Sequence, residues 1–381
     1  MLIFPKLPPL SLYVHIPWCV KKCPYCDFNS HAARGDLPED LYVAVLLQEL
    51  EGHLKWVQDR RLTSIFFGGG TPSLFSAAAI GEIVDGIAKR IPFADNIEIT
   101  LEANPGTIEQ ARFKDFRLAG INRLSLGIQS LQDDKLKILG RIHDSEQAKR
   151  AIDIAKDAGF DNFNLDIMYG LPHQTIEEAM FDIEAALSFE PTHFSWYQLT
   201  LEPNTLFYHE PPPLPPNDTL WEIQKAGQQY INQAGFQQYE VSAYAKSNHE
   251  CKHNRNYWEY GDYIGIGAGA HSKVTHANGE IWRFSQVKNP RDYLDGEKRK
   301  QFTSNLIAED AVMFEFMLNA LRLTDGVPAA LFNERTGINL DRILPTLQQA
   351  VKRGLLLPDT ARICPTDLGE RFLNDLVGMF L

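Results

Sequence analysis

Short runs with alternating or continuous apolar positions recur through the N-terminal half of the chain. Each is followed by a polar or glycine-rich loop and then by a longer stretch with helical spacing. The runs at 11–16, 64–67, 97–102, 123–127, 162–168 and 194–199 predict strands. Helices are predicted at 39–58, 77–90, 107–119, 133–139, 145–158 and 175–189. Thr107 with Gln110 matches a capping box, whereas Ser145, with Ala148 three residues on, reads as a simple N-cap. Gly120 and Gly159 stand where a helix would stop. Strands alternating with helices imply a parallel sheet. Six such units give an α/β fold built on a partial (β/α)6 barrel rather than a flat, doubly wound sheet.

In a parallel barrel the C-terminal strand ends and the loops after them form the site, so polar residues are expected there. The first run leads into a cysteine-rich loop, and the second into Gly68, Gly69, Gly70, Thr71 and Pro72. The third ends at Glu102 and Asn104, the fourth at Gln129, the fifth at Asp166, and the sixth at Gln198 and Thr200. Loops are polar in general, but six in register single out one end of the sheet.

The cysteine loop places Cys19, Cys23 and Cys26 within eight residues, spaced Cys-xxx-Cys-xx-Cys. Thiolates suit zinc or iron–sulfur clusters, and a four-iron cluster held by three of them leaves one iron open. Tyr25 is positioned to flank whatever binds that iron. A zinc site completed by His15 or His31 is the alternative for the same spacing. Cys251 and Cys364 lie far away and read as ordinary buried thiols, which fits a reduced protein better than a disulfide framework.

With 381 residues, 44% of them hydrophobic, the chain is long enough for one large domain and a smaller one, drawn at 1–300 and 301–381. Lys and Arg number 37 against 49 Asp and Glu, and the net charge of −12 argues against nucleic acid as the main partner. No apolar run reaches the ~20 residues of a membrane helix, and the first residues lack the features of a signal peptide, so a cytoplasmic location is expected.

The string YVHIPWC…CPYCDF resembles the cluster loop of radical S-adenosylmethionine (SAM) enzymes. Within them it is similar to the branch holding oxygen-independent coproporphyrinogen III oxidase and the HemW heme chaperones. The resemblance extends from Tyr13 to about Asp166, and more loosely to the C-terminus. It implies a radical SAM barrel with a [4Fe-4S] cluster on Cys19, Cys23 and Cys26 and SAM on the open iron. Carried over by position, it implies SAM contacts from Tyr13, Tyr25, Gly69, Gly70, Thr71, the Glu102 of LEANP, the Gln129 of LGIQS, the Arg141 of LGRIH and the Asp166 of NLDIMYGLP. The chemistry is suitable: carboxylates for ribose hydroxyls or an ammonium, an amide for sugar hydroxyls, and a guanidinium for a carboxylate.

The proline cluster from Glu202 to Asp218 cannot be helix interior and reads as a long connection skirting the barrel mouth. A helix at 219–234 and a strand at 237–242 follow. The string His253-Asn254-xx-Tyr257-Trp258 comes next, and His271 follows a glycine-rich run. Imidazole is a usual heme-iron ligand, and flat aromatics suit a porphyrin. A His beside Tyr and Trp is also commonly a satisfied, half-buried residue. The string is similar to one in the chaperone branch, which implies heme with His253 as leading ligand, Tyr257 and Trp258 beside the porphyrin, and His271 in reserve.

Helices at 311–321 and 340–351, a hairpin at 354–367 and a final helix at 368–379 give the C-terminal part a winged-helix-like order. It lacks a basic stripe, so a lid or docking module is expected rather than a DNA reader. The resemblance as a whole implies a heme chaperone that passes heme to an acceptor hemoprotein, with a membrane-associated acceptor among the options. The alternative is the oxidase itself. Phe28 stands where the oxidase pattern calls for a further Cys, and only about a dozen residues precede the first strand, so decarboxylase activity is not expected.

Overall fold

The computed structural model describes residues 2–106 and 112–381. Six strands follow one another: β1 (Leu10–Ile16), β2 (Leu62–Gly69), β3 (Phe93–Ala103), β4 (Arg123–Gln129), β5 (Phe163–Tyr169) and β6 (His193–Gln198). Each pairs in parallel with the next. Order in space thus follows order along the chain, without the reversal point of a doubly wound sheet, as the partial barrel requires. The strands are buried on both faces, which is why they read as near-continuous apolar runs. In β1, Leu10, Leu12, Val14 and Ile16 are fully buried, and so is Ser11 between them.

The crossover helices are α1 (Glu39–His53), α2 (Ala77–Ala88), α3 (Phe113–Leu118), α4 (Asp133–Ile138), α5 (Ser145–Asp157) and α6 (Ile176–Leu187). In α1, Tyr42, Leu46 and Leu50 recur every fourth residue and are fully buried. The helix stops at His53 and tightens into a 3-10 turn rather than continuing to 58. Ser145 is not a cap. Asp144 is, in a reciprocal capping box with Gln147, and Thr175 with Glu178 forms a second box. The predicted box at Thr107 and Gln110 lies outside the described residues. Gly120 and Gly159 adopt φ of +99° and +83° where their helices end.

Beyond the barrel, α7 (Asn217–Gln233) leads into β7 (Gln237–Glu240) and β8 (Ala243–Ala245), so the single strand expected at 237–242 is a bent pair with an irregular register. Then come α8 (Lys252–Trp258), β9 (Asp262–Ile266), β10 (His271–Thr275), β11 (Ile281–Ser285) and β12 (Thr303–Leu306). Among the described residues these make one twelve-stranded sheet, in the order β12-β11-β10-β9-β1-β2-β3-β4-β5-β6-β8-β7. The glycine-rich run before His271 is the corner between β9 and β10. A Cβ at Gly265 would lie 2.1 Å from the His271 carbonyl oxygen. The extension is pinned by Asp262, fully buried, whose carboxylate accepts from Lys273 (3.0 Å) and Arg60 (2.7 Å).

The C-terminal part runs from α9 (Glu309–Ala320) through α10 (Ala329–Thr336) and α11 (Leu344–Lys352), with Val327–Pro328 paired to Arg362–Ile363. The expected final helix is broken at Phe372 into Asp367–Arg371 and Leu373–Gly378. Phe316, Met317, Phe332 and Leu376 centre a second core, which also takes in Tyr239, Ala243 and Tyr260 from the sheet extension.

Candidate functional site

A cavity of about 510 Å³ opens at the C-terminal end of the parallel strands. Cys19, Cys23 and Cys26 line it together with Tyr25, Gly69, Gly70, Thr71, Glu102, Gln129, Arg141 and Asp166. These side chains come from loops or strand ends spread over nearly 150 residues of sequence. Tyr13 is the exception. Its ring lies beneath the cavity floor, where its hydroxyl meets His15 Nδ1 at 3.0 Å and burial holds its phenol well above the usual range.

The cysteine loop is closed at its base by a two-residue parallel pairing of Trp18–Cys19 with His31–Ala32. Inside it the Cys26 N–H donates to the Cys23 carbonyl at 3.2 Å, and Lys22 Nζ donates to the carbonyls of Phe28 (3.1 Å) and Ser30 (3.4 Å). All three thiols are free and half-buried. Burial pushes the thiols of Cys19 and Cys26 up, and Arg141 Nη1 stands 3.6 Å from the Cys23 sulfur. Pro24 also holds the proline-rich connection in place, because its carbonyl accepts from the Phe207 N–H at 3.0 Å.

Gly69 and Gly70 are required by packing. Gly69 has φ +116°, and a Cβ there would come within 2.5 Å of the His15 ring; one at Gly70 would lie 2.6 Å from the Trp18 carbonyl oxygen. The Gly69 N–H donates to Glu102 Oε2 at 3.2 Å. Burial, with the nearby Asp166, raises the Glu102 carboxyl to about 8. Asp166 is raised by burial as well, against hydrogen bonds from Asn164 (2.8 Å) and Ser125 (3.2 Å). Asn104 donates to Thr71 Oγ1 at 2.9 Å and accepts from Arg141, so three loops share one network. Gln129 takes a left-handed φ of +70°, and its Oε1 accepts from the Tyr197 hydroxyl at 2.6 Å.

His253 does not reach this cavity. It is 1% exposed, with Nδ1 on Ser64 Oγ at 3.0 Å and Nε2 on the Tyr257 hydroxyl at 3.1 Å. Burial lowers it to about 3. Both ring nitrogens of the expected leading heme ligand are thus engaged in a buried hydrogen-bond set, the arrangement that the other reading of its neighbours called for. Asn254 and Trp258, from the same turn of helix, do line the cavity, while Tyr257 packs edge-on against Tyr263. His271 is exposed at the start of β10.

Sequence reasoning missed Tyr197 and Arg322. Tyr197 adjoins Gln198 at a strand end that was already flagged, so the strand pattern could have found it. The Arg322 guanidinium lies 4.2 Å from the Trp258 ring centre, and no sequence signal links residues so far apart.

Known proteins place the chain further. The model of the Radical SAM superfamily matches residues 13–185, and that of the HemN C-terminal domain matches 307–372. Two proteins described as heme chaperone HemW, from Haemophilus influenzae and Escherichia coli, are 51% and 50% identical to it, each over 99% of both chains. One from Bacillus subtilis is 34% identical over 97% of this chain and 99% of its own. The structure of coproporphyrinogen III oxidase (HemN) from Escherichia coli superposes with a TM-score of 0.82 at 23% identity, covering 98% of this chain and 90% of that one, which shows a shared fold. The chain belongs to the radical SAM superfamily and, within it, to the HemW family.

Proposed function

We propose that the protein is a heme chaperone that carries a [4Fe-4S] cluster and SAM in the cavity above its sheet and passes heme to an acceptor protein. The observation that supports this most is the lining of that one cavity: three free thiols on one side, and polar residues from the following strand ends on the other. The donor set suits the cluster, since three thiolates leave one iron for a ligand outside the protein. Cys19, Cys23 and Cys26 would hold it, and Arg141 beside Cys23 would offset its charge.

Five carboxylic residues, Asp27, Glu102, Asp166, Glu202 and Glu240, line the same cavity against three cations, Lys21, Arg141 and Arg322. Such a lining suits a ligand carrying an ammonium and a sulfonium. Glu102 and Asp166 would take the cationic or hydroxyl-bearing parts of SAM, Gln129 its sugar, and Arg141 its carboxylate. Tyr25 would flank the cluster, with Gly69, Gly70 and Thr71 forming the floor and Tyr13 supporting them from below. When bound, the pair supplies one-electron chemistry, while the protein supplies orientation and exclusion of water.

Heme as cargo rests on the relatives' description and on full-length similarity to them. Of the two histidines singled out by motif, His271 is the one open to a ligand. The division of the chain into barrel and C-terminal module is best placed after residue 306, where the last strand of the sheet ends. Anaerobic purification followed by iron, acid-labile sulfide and heme analysis tests the whole reading. Iron and sulfide near four per chain, with a reduced-cluster resonance perturbed by SAM, are expected for such a cluster. Zinc without sulfide would overturn it.

A further inference from the structure

A second cavity, of about 640 Å³, also borders the cysteine loop. One wall is the segment just after the cysteines, with His31 and Arg34; the other is the short helix Pro290–Leu294, with Arg291. Trp18, Leu37 and Leu294 give it apolar surface. Trp18 is held rigidly: it is 8% exposed, stacked on Phe75 at 5.8 Å and edge-on to Tyr42 at 4.8 Å. Asn29 clamps the two walls together by donating to the carbonyls of Ala268 and Lys288, each at 2.9 Å.

The charges in this groove are unusual for the molecule. The chain as a whole carries −12, yet Lys22, Arg34 and Arg291 line the groove against the single acid Asp36. Lys22 is occupied with loop carbonyls. Arg34 and Arg291 are exposed, and among the described residues neither guanidinium has an ion pair or a hydrogen-bond partner. Two free guanidiniums, one on each wall of a groove with apolar lining, suit an apolar molecule bearing two carboxylates.

We propose that this groove takes the face of the heme, with Arg34 and Arg291 meeting its two propionates and His31 offering an imidazole from the wall. The inference rests on the chaperone reading and adds the place where the cargo sits. His31 Nε2 meets the Asn29 amide oxygen at 3.3 Å and the ring also bonds the Lys288 main-chain carbonyl, so the imidazole must leave both partners to take iron. Heme and SAM would then both border one short loop, and each would sense the other through it.

The test is titration of the holoprotein with hemin and with hemin dimethyl ester, followed by Soret absorbance. Arg34→Glu combined with Arg291→Glu should weaken hemin at least tenfold, leave the ester nearly unchanged, and leave iron and sulfide content intact. His31→Ala should shift the Soret band. Arg34→Gln alone, a milder change at an exposed position, should weaken hemin several-fold and guards against misfolding in the double variant. If the double variant, folded by circular dichroism, binds hemin as the parent does, the groove is not the site. Loss of binding in His271→Ala together with that result would move the heme to β10. Failure of the parent to bind hemin at all would instead overturn the chaperone reading beneath the proposal.

Discussion

Glu102 sits at the end of β3 and receives the main-chain N–H of Gly69 from the neighbouring strand β2, at 3.2 Å. That one bond ties the glycine loop to the acidic end of the cavity. It is too weak to keep the carboxylate charged once the group is buried, so the carboxyl is pushed up to about 8 and is mostly neutral at pH 7. A cationic ligand would favour the charged form. SAM binding at pH 7 should therefore release a proton from Glu102, and affinity should rise with pH until about 8. Calorimetry in buffers of different ionisation enthalpy reads the proton directly. Glu102→Gln should abolish the release, and an unchanged proton count in that variant would exclude Glu102 as its source.

The same shift has a stability consequence of definite sign. A carboxyl raised in the folded state binds more protons than it does unfolded, so unliganded protein should lose stability as pH climbs from about 4.5 to about 8. Each unit is worth about 1.4 kcal/mol, so the loss is on the order of 2–4 kcal/mol after allowing for water entry. Denaturant midpoints of Glu102→Gln should be flatter across that window than those of the parent.

His253 behaves in this structure as a core residue. Removing it strands Ser64 and Tyr257 and opens a space beside Phe66, so His253→Ala should destabilise the protein by about 2–4 kcal/mol. Heme affinity of the folded variant should stay within about twofold of the parent, well under the tenfold that 1.4 kcal/mol represents. A Soret titration showing a large loss in folded protein would return the ligand role to His253.

Each of Cys19→Ser, Cys23→Ser and Cys26→Ser should remove the cluster absorbance, whereas Cys364→Ser, near the carbonyl of Thr324 in the C-terminal part, should keep it. Phe28 is 60% exposed at the cavity rim, where a further thiol would be needed to match the oxidase pattern. Anaerobic assay with SAM, reductant and coproporphyrinogen should accordingly give no carbon dioxide; stoichiometric release would restore the oxidase alternative.

Asp262, on the strand that pairs with β1, holds two cations, Lys273 of β10 and Arg60 from the segment before β2. Asp262→Asn leaves the Lys273 ammonium buried without a counter-charge, and the variant should lose about 3–5 kcal/mol in equilibrium unfolding. If the loss is small, the Lys273 proton is shed instead, and the deficit should then shrink at high pH.

The strands of the barrel and the cysteine loop were legible in the sequence because they are local. A strand buried on both faces announces itself within seven residues, as β1 does, and three thiols in eight residues converge whatever the rest of the chain does. The polar residues after each run were legible for a related reason: parallel strands joined by helices all end at the same edge, so topology alone gathers Glu102, Gln129 and Asp166. Local patterns also misled. Ser145 looked like a cap, but Asp144 offers the better acceptor, with Gln147 in reach to answer it.

What only the tertiary structure decided is set by pairs far apart in the chain. The burial of His253 depends on Ser64 and Phe66, nearly two hundred residues earlier, and Arg322 reaches Trp258 from another module. Arg34 and Arg291 frame one groove because β9 adds beside β1 and carries the chain back to the cysteine loop. No short-range period encodes such a meeting. The sequence determines which side chains exist and how each segment presents them, but whether an imidazole is closed off by a hydroxyl or left open to a ligand depends on long-range packing of the whole sheet.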